Sequence, residues 1–113
     1  MSLSGPHAIS LVSSIVPTQS PGVYVLSRNG RTAHYVGRSD TCLATRLASS
    51  ARAEKYTHFW YGFTSSPMQA YHAECELYHS YSPVDNANHP AVPIGTQWRC
   101  PLATCPWGPR LPA

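Results

Sequence analysis

GVYVLSRNGRTAHYVG, residues 22–37, is two apolar runs joined by Asn29-Gly30. Asn and Gly tolerate the positive φ that a two-residue type I′ turn needs, so the stretch reads as a β-hairpin whose register can be counted outward from the turn. With Asn29 and Gly30 as the loop, Leu26 faces Ala33, Tyr24 faces Tyr35 and Gly22 faces Gly37. Side chains alternate between faces, which puts Tyr24, Leu26, Ala33 and Tyr35 on one side and Val23, Val25, His34 and Val36 on the other. Neither set is plainly polar. The hairpin is therefore expected at the centre of a small sheet with both faces covered.

The 113 residues suit one domain. The net charge of +3 neither demands nor excludes a nucleic-acid partner, but its distribution is uneven. Six of the eight basic residues (Arg28, Arg31, Arg38, Arg46, Arg52 and Lys55) fall between 28 and 55, where Asp40 and Glu54 are the only acids. A solvated face explains such a cluster as readily as a phosphate-binding one. No run reaches the length of a membrane span and no signal-peptide pattern opens the chain, so a soluble cytoplasmic protein is expected, with no membrane partner. Cys42, Cys75, Cys100 and Cys105 are too scattered for a secreted disulfide framework. Cys100 and Cys105 would make half of a zinc site, but no second close pair of ligands accompanies them; His58, His72, His79 and His89 lack zinc spacing and read as surface or capping groups.

Around the hairpin, Ala8 to Val16 is an apolar stretch between prolines, read as a short helix in a lead segment spanning 1–21. After Gly37, Asp40 or Thr41 can cap a helix starting near Cys42, with Leu43, Ala44, Leu47, Ala48 and Ala51 on its inner face and Arg46 at its edge. Tyr56 to Phe63 is aromatic and suits a third strand. Ser66-Pro67-Met68-Gln69 is a helix start, with Ser66 as N-cap, Pro67 in the first turn and Gln69 positioned for a capping box; Pro83 ends the helix. At about 100° per residue, Met68, Ala70, Tyr71, Cys75, Leu77, Tyr78 and Tyr81 form one arc. Glu74 lies inside that arc and Glu76 outside it. A carboxylate in an apolar stripe has to be paired, protonated or bound to a cation. Seven of the eleven prolines follow residue 82, so 91–113 reads as an irregular tail packed on the domain through Trp98 and Trp107.

Gly22-Val23-Tyr24, Tyr35-Val36-Gly37, Arg46-Leu47, Glu74 with Ala70 and Leu77, and Asn86 after Pro83 resemble, in order, the motifs of the GIY-YIG endonucleases. The likeness runs from 22 to 86. It implies an α/β (α+β) domain over about 22–90, with a small three-stranded antiparallel sheet flanked by helices. It also implies a metal-dependent endonuclease that hydrolyses DNA phosphodiester bonds. Glu74 would hold Mg²⁺ or Mn²⁺, Tyr24 would take a proton from the attacking water, and Tyr35 would orient Tyr24. Arg46 would hold the phosphate, and Asn86 would secure the loop after the helix or bind substrate. Arg38 resembles the basic residue that several members carry after the second motif, and with Arg52 and Lys55 it would contact DNA. Gly22 and Gly37 would be structural. Branched or damaged DNA is among the substrates this class allows, and a homodimer would lengthen the footprint of so small a domain. The competing expectations are a non-cleaving nucleic-acid-binding module of the same fold and a protein-interaction domain. Each tyrosine also has an ordinary explanation, because cross-strand aromatic pairs stabilise sheets.

Overall fold

A computed structural model describes residues 3–16, 20–51, 55–102 and 105–106. Its strands are β1 (Ser4–Ala8), β2 (Gly22–Ser27), β3 (Tyr35–Ser39) and β4 (His58–Phe63), and its helices are α1 (Val12–Ile15), α2 (Leu43–Ala51) and α3 (Pro67–Tyr81); a 3₁₀ turn, Ile9–Leu11, precedes α1. The sheet has four strands rather than three, antiparallel in every pair, in the order β1-β4-β2-β3. The unexpected strand is β1, whose sequence SGPHA has neither β-branched residues nor alternating polarity. Pairing along β4 recruits it, where propensity alone would not.

The hairpin forms, but not wholly at the centre of the sheet, since β2 is interior and β3 is an edge strand, and its register is two residues away from the count based on a tight turn. Tyr24 faces Gly37, Val25 faces Val36 and Leu26 faces Tyr35. The cause is the side chain of Asn29. Only Gly30 in this loop has positive φ, +75°; Asn29 instead accepts the backbone N–H groups of Arg31 and Thr32 through Oδ1, both at 2.8 Å. Ser27 Oγ accepts those of Asn29 and Gly30 at 3.1 and 2.9 Å. Local side-chain acceptors thus build a wider loop than a I′ corner. A shift of two preserves the alternation, so Tyr24, Leu26 and Tyr35 still share a face, opposite Val23, Val25 and Val36. Ala33 and His34 lie in the loop, outside the strands.

β2 lies between β4 and β3, and all six of its residues are buried. On one face Tyr24, Leu26 and Phe59 pack with Val12, Val16, Leu43 and Leu47, which closes α1 and α2 over the sheet. α3 packs across β2 and β3. A second, smaller cluster joins Tyr71 and Cys75 of α3 to Cys100, with Val92, Trp98, Leu102 and Cys105 against it. Trp107 lies outside the described residues.

α3 starts as its sequence indicates. Ser66 Oγ accepts the Gln69 N–H at 3.2 Å and Pro67 occupies the first turn. The reciprocal half of the capping box is displaced by one residue, since Gln69 Oε1 accepts the N–H of Ser65. The buried arc is narrower than the one drawn from periodicity: Ala70, Tyr71, Ala73, Glu74 and Cys75 are buried, whereas Met68 and Tyr81 are exposed. In the turn before α2, it is Ser39 Oγ that accepts the N–H groups of Thr41 and Cys42, at 3.3 and 3.0 Å.

Candidate active site

Among the described residues β3 pairs with no strand but β2, so it forms the edge of the sheet. A cleft of about 630 Å³ straddles that edge. Tyr35 and Gly37 enter it from the face covered by α2, Arg38 enters from the face covered by α3, and Arg46, Glu74, Asp85 and Asn86 complete the wall with residues 87–91. Groups on opposite faces of a sheet meet here because the strand between them is the last one.

Two glycines make this possible. Tyr24 lies opposite Gly37, and its phenol crosses directly over that residue; a Cβ on Gly37 would sit 2.4 Å from the Tyr24 hydroxyl. A Cβ on Gly22 would come within 2.5 Å of the Gly62 carbonyl oxygen and 2.8 Å of Leu43. Both positions exclude any larger residue. The Tyr24 and Tyr35 rings are diagonal neighbours, with centroids 6.3 Å apart, rather than directly opposed. A shallower depression of about 340 Å³, lined by Tyr24, Tyr35, Arg46, Lys55 and Tyr56, shares Tyr35 and Arg46 with the main cleft.

Arg46 projects from α2 at the residue before buried Leu47. A hydrogen bond with Tyr24 is the chief reason its guanidinium is held above its ordinary pKa. Burial raises the pKa of Tyr35, reinforced by Tyr24 and by the charge of Glu74 and opposed by that of Arg46. Tyr35 therefore keeps its proton and can act as a hydrogen-bond donor.

Glu74 is 7% exposed. Its partner is Arg38, whose Nη1 donates to Oε1 at 2.6 Å while its Nε donates to Asp40 Oδ1 at 3.0 Å. The same guanidinium stacks on Tyr71, 5.3 Å from the ring centroid. Burial raises the pKa of Glu74 despite the opposing hydrogen bond and charge of Arg38. Asp40 pushes the same way as burial, and Arg46 opposes it. An oxygen donor set of one carboxylate at a roomy polar cleft fits Mg²⁺ or Mn²⁺, which keep waters and take phosphate oxygens to fill their shells. Arg38 already occupies one side of that carboxylate.

Asn86 spends both ends of its amide on β3: Oδ1 accepts the Val36 N–H and Nδ2 donates to the Val36 carbonyl, each at 2.9 Å. Among the sequence candidates, then, Tyr35, Arg38, Arg46, Glu74 and Asn86 line one cleft, with Tyr24 against it across Gly37. Lys55 stands at the side depression, 5.6 Å from the Tyr56 ring centroid and 3.5 Å from Asp85. Arg52 falls outside the described residues. Sequence reasoning passed over Asp40, Tyr56 and Asp85. Tyr56 donates to Asp85 at 2.9 Å and stacks beside Tyr35, while Arg28 pairs with the same carboxylate. No local pattern marks Tyr56 and Asp85, which find their partners through the tertiary fold, whereas Asp40 pairs with Arg38 only two residues away.

These strands and helices, wrapped in this order around a cleft on the edge strand, make up the fold of the GIY-YIG endonuclease domain. It is shared with the N-terminal endonuclease domain of UvrC from Thermotoga maritima. A crystal structure of that domain with magnesium as its catalytic divalent cation matches at a TM-score of 0.57 and 22% identity, over 69% of this chain and 97% of that one. A point mutant of the same domain, also bound to its catalytic divalent cation, matches at 0.58 and 20% identity, over 70% and 97%. At these identities the likeness is one of fold. No protein-family model matches the sequence, and no curated protein does either. Among the described residues, no helix is long and apolar enough to cross a membrane.

Proposed function

We propose that this chain is a metal-dependent endonuclease that hydrolyses DNA phosphodiester bonds at the β3 edge. The observation that carries the proposal is the meeting of a buried carboxylate, two phenols and two arginines at one cleft, although they come from opposite faces of the sheet. The phenolate oxygen of Tyr24 takes a proton from the attacking water and becomes the neutral phenol, with Arg46 beside it. Tyr35 stays protonated and orients the water or the neighbouring phenol by donation. Arg46 presents its fork of donors to the non-bridging phosphate oxygens, and Arg38 joins it once substrate competes for its guanidinium. Glu74 holds Mg²⁺ or Mn²⁺, which when bound supplies positive charge for the phosphate and the leaving oxygen. Asn86, with both amide groups occupied, is a positioning residue. It fixes the loop that forms one wall of the cleft.

A second reading, a DNA-binding module that does not cut, is favoured by the Arg38–Glu74 pair, because this guanidinium occupies one of the two oxygens on which a cation would be held. Cleavage of supercoiled and branched DNA with Mg²⁺ or Mn²⁺ separates the two. The nuclease reading expects cutting by the wild type and a loss of at least about 10²-fold in Glu74→Ala, the scale of removing a charge-stabilising group. Salt-dependent DNA binding without turnover in either metal would leave the binding module.

A further inference from the structure

We propose that the chain carries a structural zinc ion held by His79, His89, Cys100 and Cys105. One ligand atom from each of the four lies within 4.8 Å of all the others. Zinc bonds to sulfur at about 2.3 Å and to imidazole nitrogen at about 2.0 Å, so a tetrahedral set places its donor atoms roughly 3.3–3.8 Å apart. Cys100 Sγ and His79 Nε2 are already 3.4 Å apart. The set needs only a slight contraction to enclose one ion.

The surroundings suit a closed metal site. His89 Nδ1 lies 3.0 Å from the Pro90 carbonyl oxygen, which can only accept, so the ring proton sits on Nδ1 and the lone pair on Nε2. A backbone carbonyl that fixes the tautomer in this way is the usual support for a metal-binding imidazole. Cys100 is fully buried, and Val92, Trp98 and Leu102 pack around it. The Cys105 N–H donates to the Leu102 carbonyl at 3.2 Å, which holds the second thiol near the first. Two thiolates and two imidazoles within one small sphere select zinc over magnesium, which takes oxygen. A two-iron cluster would need its thiolate and imidazole ligands on separate irons, further apart than these are.

His79 stands in the last turn of α3, His89 in the cleft wall and the cysteines in the irregular tail. One ion would therefore tie the helix, the wall and the tail together three residues beyond the Asn86 clamp. This inference does not depend on the nuclease reading.

Metal analysis of protein purified without added zinc tests it, with thiol titration on the same sample. About one zinc per chain is expected, falling below about a tenth in Cys100→Ser, Cys105→Ser and His89→Ala and retained in His72→Ala. Cobalt exchanged into the wild type should give the intense visible absorption of a tetrahedral thiolate site. Removing the metal with a chelator should lower the melting temperature and expose residues 90–100 to protease. Three results would overturn the proposal: a folded wild type that contains no zinc and gives no cobalt spectrum, a Cys100–Cys105 disulfide in the purified protein, or zinc that survives both cysteine substitutions.

Discussion

The strand-built part of the molecule and the chain that follows α3 are held by different means. From β1 to β4 a ladder of backbone hydrogen bonds links four strands, and an apolar core of Tyr24, Leu26, Leu43, Leu47 and Phe59 lies beneath it. From Pro83 to Pro106 the described residues form no helix or strand. There the chain is held by a smaller apolar cluster on Tyr71 and Cys75 and by single attachments, Asn86 on Val36, Asp85 on Arg28 and Tyr56, and Cys100 beside His79. Ladders and cores are collective, so they resist as a unit. Point attachments fail one at a time, and they are what close the wall of the cleft.

Leu47→Ala should have the largest effect on stability. It removes a fully buried side chain from the core, and the whole chain should lose about 2–5 kcal/mol in denaturant unfolding. Asn86→Ala comes next, costing about 1–3 kcal/mol because it leaves the Val36 amide without its acceptor. Its mark should be local. Hydrogen exchange should accelerate at Val36 and through residues 84–91 while β2 stays protected, and uniform acceleration would erase the contrast between the two regions.

Arg38→Ala sharpens the comparison through pH. Burial raises the folded-state pKa of Glu74, so its ionisation opposes folding. That penalty is absent below the ordinary carboxylate pKa of about 4.3 and complete once pH has passed the raised folded value. Arg38 and Arg46 counter it, while Asp40 and Tyr35 do not. Losing Arg38 should therefore cost more melting temperature near pH 7 than near pH 4, and equal losses would contradict this account of Glu74. Asp85 has the opposite sign and the smallest effect. Burial works against its charge, but the hydrogen bonds of Tyr56 and Arg28 and the charges of Arg28 and Lys55 outweigh that and lower its pKa. Its contribution should be present above about pH 4 and vanish as pH falls through its folded value. Asp85→Asn should cost under about 1 kcal/mol near neutrality, the scale of an exposed pair, and less in acid.

What could be read in the sequence follows the same division. Two apolar runs with glycines at their outer ends identified the β2–β3 hairpin, though not that β3 would lie at the sheet edge, and the start of α3 was written in Ser66 and Pro67. The placement of Glu74 on the inner arc of α3 followed from helical period, although the two ends of that arc, Met68 and Tyr81, stay exposed. The register did not follow. It depends on whether Asn29 turns with its backbone or caps with its side chain, and either suits an Asn-Gly pair. β1 escaped notice because its residues join a sheet only when β4 offers an edge. The partner of Glu74 and the two histidines that join Cys100 and Cys105 below α3 escaped for one reason: each is brought in from a segment that carries no spacing signature.

The clamp on Val36 has one more consequence. The outermost strand of a small sheet is a standing invitation to a second molecule, since its bare amides and carbonyls can template another chain. Here a side-chain amide plays the part of a fifth strand for a single residue, and the neighbouring backbone is left to the cleft. Both backbone groups that a further strand would need at Val36 are thus already taken from within the chain.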